Sequence, residues 1–588
     1  MVESPANGVV VVAPTSPSAI KSSDSNDNRR EKNLTGLLRG QRKLAYYLIR
    51  DLWSVSVSRK HRPSIAPENL LLNKINQLKD VGIPEKRGPL KVMFFSSHCG
   101  GGHKASAASL EKQFQIHFPG SHCESFYVEE ICNALIYKKV AESYKTLTSY
   151  PNLWRVVYHF SNARAIEPLM DAHLKADCEE RAVDLITSYN PDVIVSVHPN
   201  SNLVPWSASQ RVGTKLKKHI PFFTVVTDLG SGHCGWFQKD VDQLYLASEK
   251  ILRLAVKRGR TPLNRISLTG LPIRHEFDVL SRRMIAGNCD DDNNGTSEEE
   301  LKLVGRQRKH YQEEQRKVKE ELSLHTDLPM VLIMGGGEGV GSLFQIVCEL
   351  YSLLVSEDIG CTICVVCGKN ADLKAEFEQT DWDKIIAQET KKASMYDKFG
   401  SQFKSFSFPF GINGIENSNE KMMVSEQPSK ASELLKDVST KANGEEPEQV
   451  HDRESSKVKV VPLGFVTRMA EYMAAAEILI TKAGPGTIAE AASVGLPLIL
   501  TGYLPGQEAG NVSLVLEQEF GTYSDKPCKI AKTVSRWMRD PTLLHSMSNN
   551  ALKAGHPSAA SDIVLDIGSR THTWLESNMK ETQTDTDT

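Results

Sequence analysis

Two stretches of the chain repeat one pattern, a short apolar run, a polar turn and a helical stretch. In the first, Leu90–Ser96 is apolar and ends in Ser97-His98-Cys99-Gly100-Gly101-Gly102-His103, with a helical pattern at Lys104–His117. Asp192–Val197 and Phe222–Thr227 are similar runs, short, β-branched and closed by polar turns. Strands that are apolar throughout, instead of alternating, belong to parallel sheets covered on both faces. The second stretch opens at Pro329, and strands are expected at Met330–Met334, Thr362–Val366, Val458–Val461, Glu477–Thr481 and Pro497–Thr501. The pattern predicts an α/β protein with two doubly wound, Rossmann-like domains, residues 89–277 and 327–535, facing a central cleft.

The remaining segments read differently. Residues 1–36 are rich in Ser, Asn and Asp and are expected to be a disordered leader. Up to Lys21 the leader carries Ser and little acid, as a transit peptide does, but Asp24, Asp27 and Glu31 break that pattern. Within the basic segment 37–88, residues 38–62 set Arg39, Arg42, Lys43, Arg50, Arg59, Lys60 and Arg62 against a single acid, Asp51, while Leu44, Leu48 and Leu52 recur at helical spacing. This segment suits either a basic amphipathic helix on anionic lipid or a helix packed on the next domain. Residues 278–326 are expected to be a linker with an exposed charged helix, and 383–456 a disordered insertion. Helices at 536–576 are expected to pack back across both domains, followed by a disordered tail at 577–588.

The chain has 588 residues, with 70 Lys and Arg against 72 Asp and Glu. That balance argues against nucleic-acid binding through bulk charge. No run of about 18 apolar residues occurs, so no spanning helix is expected. Eleven Cys are too sparse for a disulfide scaffold and point to a reducing compartment.

In open α/β sheets, ligands bind beyond the carboxyl ends of the strands, and four glycine-bearing loops fall there. The first is Gly100-Gly101-Gly102-His103, where glycines let a ligand approach the backbone and His103 can accept a proton. A plain glycine turn with a solvent-facing His is the alternative. The second is Gly335-Gly336-Gly337-Glu338-Gly339-Val340-Gly341, the strand-to-helix setting in which backbone amides bind phosphate. No acid closes the following strand as a dinucleotide site requires, so NAD is disfavoured. The third runs from Thr481 through Ala483-Gly484-Pro485-Gly486-Thr487 to Glu490. Thr487 is expected to cap the helix, and Glu490 to take the two hydroxyls of a ribose. The fourth, Gly506-Gln507-Glu508-Ala509-Gly510-Asn511, offers groups suited to sugar hydroxyls. Cys361, Cys364 and Cys367 lie on one predicted strand with Cys364 facing the opposite way, which favours buried thiols over a metal site.

These motifs resemble the two-domain inverting glycosyltransferases that include plant monogalactosyldiacylglycerol synthases. The resemblance rests on Ile480–Ala491, Gly495-Leu496-Pro497, Gly506–Val512, Gly335–Gly341 and Val225–Leu229 with His233 and Trp236-Phe237. It implies the GT-B architecture, UDP-galactose as donor, 1,2-diacylglycerol as acceptor and a plastid envelope location. It also implies His103 as the group assisting the acceptor, with Gly101, Gly102 and Trp236 on the acceptor side. For the donor it implies Arg274, Gly335, Gly336, Gly337, Glu338, Gly339, Phe465, Ala483, Gly484, Pro485, Gly486, Thr487, Glu490, Gly506, Gln507, Glu508, Ala509, Gly510 and Asn511. The sequence departs from the family before the first glycines and around His233, both in the acceptor half. No Asp-x-Asp metal cluster occurs in the loops, so no obligatory metal or other cofactor is expected, and membrane contact is expected to be peripheral. The alternatives are a UDP-glucose-dependent glucosyltransferase and an inactive sugar-nucleotide or lipid-binding regulator.

Overall fold

Among the described residues twelve strands form two sheets, and every pairing in both is parallel. The computed structural model describes residues 88–132, 134, 139–285, 297–335, 343–387 and 457–586. The leader, the basic segment 38–62 and all but the start of the 383–456 insertion lie outside the described residues.

The first sheet contains β1 (Lys91–Ser96), β2 (His122–Tyr127), β3 (Val193–Ser196), β4 (Phe222–Val225), β5 (Gln243–Leu246) and β6 (Ile266–Leu268), in the order β2-β1-β3-β4-β5-β6. The second contains β7 (Met330–Met334), β8 (Cys361–Val366), β9 (Val458–Leu463), β10 (Ile478–Thr481), β11 (Leu498–Leu500) and β12 (Gly521–Tyr523), in the order β12-β11-β10-β7-β8-β9. The central strands β3, β4, β10 and β11 are buried at every position, as their unbroken apolar runs require. The chain reverses its direction of travel across the sheet between β1 and β3, and again between β7 and β10. Such reversals leave a crevice between diverging loops. His103 follows β1 and His198 follows β3. Gly335 follows β7, and Lys482–Thr487 follow β10. Sheet order alone therefore brings the chemistry-bearing loops of each domain together.

Four strands escaped the pattern. β2 is an edge strand with His122 and Glu124 facing out, and β6 and β12 are three-residue edge strands. β5 is buried but contains Gln243, whose amide donates to Ser267 Oγ at 2.8 Å.

The expected exposed linker helix is instead packed. Helix Ser297–Glu321 buries Val318, and Gln315 donates to the Ala476 carbonyl at 2.9 Å. Lys319 pairs with Glu477 at 2.8 Å, and Tyr311 donates to the Val494 carbonyl. Its charges hid a face that hydrogen bonds tie to the second domain. The last helix, Ala559–Thr586, runs past the expected boundary at 577 because no Gly or Pro interrupts it beyond Gly568. It crosses to the first domain, where Tyr245 donates to Asp566 at 2.8 Å, and Ile563 and Ile567 enter that domain's core. Helix Pro527–Met538 packs Ile530, Val534 and Trp537 into the second. Cys361, Cys364 and Cys367 are buried free thiols, with Cys364 in a different core cluster from the other two. The cysteines form no disulfide scaffold among the described residues, but Cys132 and Cys178 form one disulfide, which a reducing compartment did not predict.

Candidate active site

Helix Gly101–His117 begins three residues earlier than its apolar pattern suggested. Gly100 precedes it with φ 75°, a left-handed conformation that favours glycine. Gly101 and Gly102 face open space, and His103 lies in the first turn, with the turn's unpaired amides. His103 Nδ1 is 3.1 Å from the Val197 carbonyl and 2.7 Å from Thr227 Oγ1. A carbonyl only accepts, so Nδ1 carries the proton and Nε2 keeps its lone pair. Burial lowers the imidazole to about 4, so the ring is neutral at physiological pH.

Three other histidines could compete for this role. His198 stands edge-on to His103 with ring centroids 4.5 Å apart, and its Nδ1 accepts the Asn200 amide at 3.2 Å. His233 Nδ1 accepts the Gly235 amide at 3.2 Å, and its Nε2 lies 3.2 Å from Ser161 Oγ. In both rings the proton is therefore displaced to Nε2. His98 stacks on Tyr127 at 3.8 Å, binds Lys104 through Nδ1 at 2.9 Å and faces Glu130 with Nε2. Of these four, the network leaves only His103 with an unprotonated Nε2.

His103, His198, His233 and Asp228 form the polar end of a cavity of about 500 Å³. Its other walls are largely apolar and include Leu147, Trp154, Val157, Tyr158, Met170 and Leu174. Asp228 is 7% exposed, and its Oδ2 accepts the Trp236 indole N–H at 2.6 Å. Burial pushes this carboxyl up to about 7, against the hydrogen bonds from Trp236 and the His233 backbone. Trp236 itself is fully buried, so it holds Asp228 from behind and does not line the cavity.

On the second domain, helix Pro485–Ser493 is capped by Gly484 without a side-chain bond, and Thr487 sits inside the helix, not at its cap. The glycine leaves the first-turn amides open to an anion. Glu490 does not stand free for a ribose: both its oxygens accept hydrogen bonds from Arg274, at 2.7 and 2.8 Å. Burial raises the Glu490 carboxyl, and Arg274 opposes the rise.

The fourth loop is mostly structural. Asn511 is buried, accepts the Gly230 amide at 2.8 Å and donates to the Ala483 carbonyl at 2.9 Å. Glu508 accepts the Leu504 amide, and Ser231 donates to the Gln507 carbonyl. A Cβ on Gly510 would overlap the Gly230 backbone, and one on Gly506 would meet Tyr158 at 2.7 Å. Only Gln507 from this loop lines the cavity beside His103. Phe465 is 67% exposed, Gly335 follows β7, and Gly336, Gly337, Glu338 and Gly339 lie outside the described residues.

Comparison with known proteins fits this geometry. Residues 103–273 match the family described as monogalactosyldiacylglycerol (MGDG) synthase, and 421–563 match the glycosyltransferase family 28 C-terminal domain. The chloroplastic monogalactosyldiacylglycerol synthase of Spinacia oleracea is 30% identical over 501 residues, 83% of this chain and 75% of the relative. The chain belongs to the monogalactosyldiacylglycerol synthase family. Monogalactosyldiacylglycerol synthase 1 of Arabidopsis thaliana is 28% identical over 83% of this chain and 73% of its own. Among solved structures, MurG of Acinetobacter baumannii aligns over 81% of this chain and 98% of its own, at 12% identity and a TM-score of 0.42. As a member of this family the chain is a glycosyltransferase.

His198 and Asp228 went unassigned in the sequence reading. His198 follows buried β3 at the direction reversal and Asp228 follows buried β4 next to it, placements that mark a polar residue as functional once sheet order is known.

Proposed function

We infer that this chain transfers galactose from UDP-galactose to the free hydroxyl of 1,2-diacylglycerol, inverting the anomeric carbon. The observation that carries the reading is the unprotonated Nε2 of His103 at the polar end of an otherwise largely apolar cavity. The acceptor hydroxyl gives its proton to that nitrogen as its oxygen bonds to the anomeric carbon, while the bond from that carbon to the UDP oxygen breaks. In this reading, helix N-terminal amides at Pro485–Ser493 hold the charge left on UDP, joined by the guanidinium of Arg274 once it exchanges Glu490 for the donor. The reading requires no metal, because amides and a guanidinium supply the positive charge.

The acceptor lies in a bilayer, so contact with lipid is part of the proposal. Helix Pro151–Ser161 turns Trp154, Val157 and Tyr158 to the cavity and exposes Leu153, Val156 and Phe160 on its outer face, with Tyr150 and Leu169 nearby. Among the described residues no helix is long and apolar enough to cross a membrane. Several relatives are named as chloroplastic, which supports a plastid envelope location.

The test is product formation by the purified full chain with dioleoylglycerol micelles and radiolabelled UDP-galactose or UDP-glucose, with and without EDTA. EDTA-resistant galactolipid from UDP-galactose is expected. Glucolipid alone assigns the other donor, and release of neither product marks an inactive binder.

A further inference from the structure

The acceptor cavity contains two buried hydrogen-bond donors that no described residue satisfies. Trp154 Nε1 and the Tyr158 hydroxyl are each shielded from solvent and have no hydrogen-bond partner among the described residues. Both line the cavity, and Tyr158 is 6% exposed. The two residues are one helical turn apart on Pro151–Ser161, so they share a face, and their ring centroids are 6.1 Å apart. An indole N–H can only donate. Burial raises the Tyr158 phenol far above its usual value, so it too stays protonated and can donate. Leaving such groups unpaired costs free energy, which marks the place where a ligand supplies acceptors.

The shape of the cavity restricts what those acceptors can be. The lining is largely apolar, with Leu147, Val157, Met170 and Leu174, and its carboxyl groups Glu167 and Asp171 disfavour an anionic headgroup. A molecule that is apolar along most of its length, with acceptor atoms near its reactive hydroxyl, fits. An ester carbonyl is such an acceptor, and a 1,2-diacylglycerol carries two of them beside its free hydroxyl. Resting on the galactosyl-transfer reading, we propose that Trp154 and Tyr158 are the acceptor-specificity residues, donating their N–H and O–H to the ester carbonyl oxygens of diacylglycerol. Rim packing supports this placement. Gly506 of the second domain sits against the Tyr158 ring, and Tyr144 meets Trp154 edge-on at 5.0 Å, so both rings are held. The reactive hydroxyl is then presented to His103 at the polar end.

The experiment compares dioleoylglycerol with its dialkyl ether analogue, which keeps the hydroxyl and both chains but lacks the carbonyls. kcat/KM is measured for each lipid with the full chain and UDP-galactose. The wild type is expected to prefer the ester by at least about tenfold, because the ether lacks the carbonyl oxygens that the two buried donors are proposed to meet. Trp154→Phe and Tyr158→Phe each remove one donor and keep an aromatic ring, and each is expected to bring the ester-to-ether ratio closer to one. The ratio is taken within one preparation, so a loss of folded protein in either variant cancels. An equal kcat/KM for ester and ether in the wild type overturns the proposal, as does an unchanged ratio in both variants. Absence of transfer to either lipid is a separate result that overturns the galactosyl-transfer reading itself.

Discussion

Arg274 of the first domain and Glu490 of the second hold each other through two hydrogen bonds, with Nε 2.7 Å from Oε1 and a terminal nitrogen 2.8 Å from Oε2. The pair spans the cleft, and Arg274 also lies 5.0 Å from the Phe277 ring. Because the carboxylate is occupied, a donor that uses Glu490 must exchange with Arg274. The two residues thereby link donor binding to domain contact.

Glu490→Ala is expected to weaken UDP binding about tenfold to a hundredfold, the value of a buried hydrogen bond to a charged group. It also leaves Arg274 without its carboxylate and should lower thermal stability. Calorimetry with UDP and a melting curve on the same preparation check both. Unchanged affinity would leave Glu490 with only its bridging role.

His103→Ala is expected to lower kcat by about 10²–10⁴ while UDP affinity is nearly unchanged. His98→Ala should be milder, because His98 is stacked on Tyr127 and does not line the cavity. His233→Ala removes the acceptor of the Gly235 amide and should disturb the loop that holds Asp228. Turnover of the three variants, measured in parallel, separates a base from supporting rings. Collapse in His233→Ala with near-normal turnover in His103→Ala would move the base to His233.

Asp228 makes two opposite demands on pH. Its folded value, about 7, lies above the usual 3.8, so the folded protein binds the proton more tightly than the unfolded chain. Its contribution to stability is present at low pH and is lost as pH rises through about 7, by roughly 4 kcal/mol for a shift of this size. Asp228→Asn should therefore raise the melting temperature at pH 8 more than at pH 5. If the carboxylate serves transfer beside His103, the same variant loses turnover, and the wild type loses kcat/KM as pH falls below about 7. A melting temperature for Asp228→Asn below wild type at pH 8 would contradict the burial argument.

Gly510→Ala is expected to reduce both stability and transfer. The added methyl overlaps the Gly230 backbone, where no flexible side chain can yield. Overpacking of this kind typically costs about 1–3 kcal/mol. Gly486→Ala is the comparison, since a Cβ there meets nothing within 4 Å. A lower melting temperature is expected in Gly510→Ala alone. Equal melting temperatures in the two variants would mean the domain contact relaxes freely.

Much of this protein is determined locally. The apolar run at Met330–Met334 is a strand over those same residues and buried as far as Ile333, because a parallel strand covered on both faces needs no partner-specific pattern. The glycines before His103 and the Gly484-Pro485 helix start are likewise settled by backbone preference within a few residues. Short edge strands such as β12 were not legible, since half-exposed three-residue runs resemble loops. Thr487 looked like a cap by composition, but Pro485 already starts the helix two residues earlier. Tertiary structure decided what depends on distant chain. The tautomer of His103 is set by Val197 and Thr227, 94 and 124 residues away. The partner of Glu490 is 216 residues away, and Gly510 is small because Gly230 abuts it. A local pattern reports whether a group is buried. Which atom meets it there is decided only when two remote segments are brought together, and at this site that meeting sets the protonation, pairing and space on which the chemistry depends.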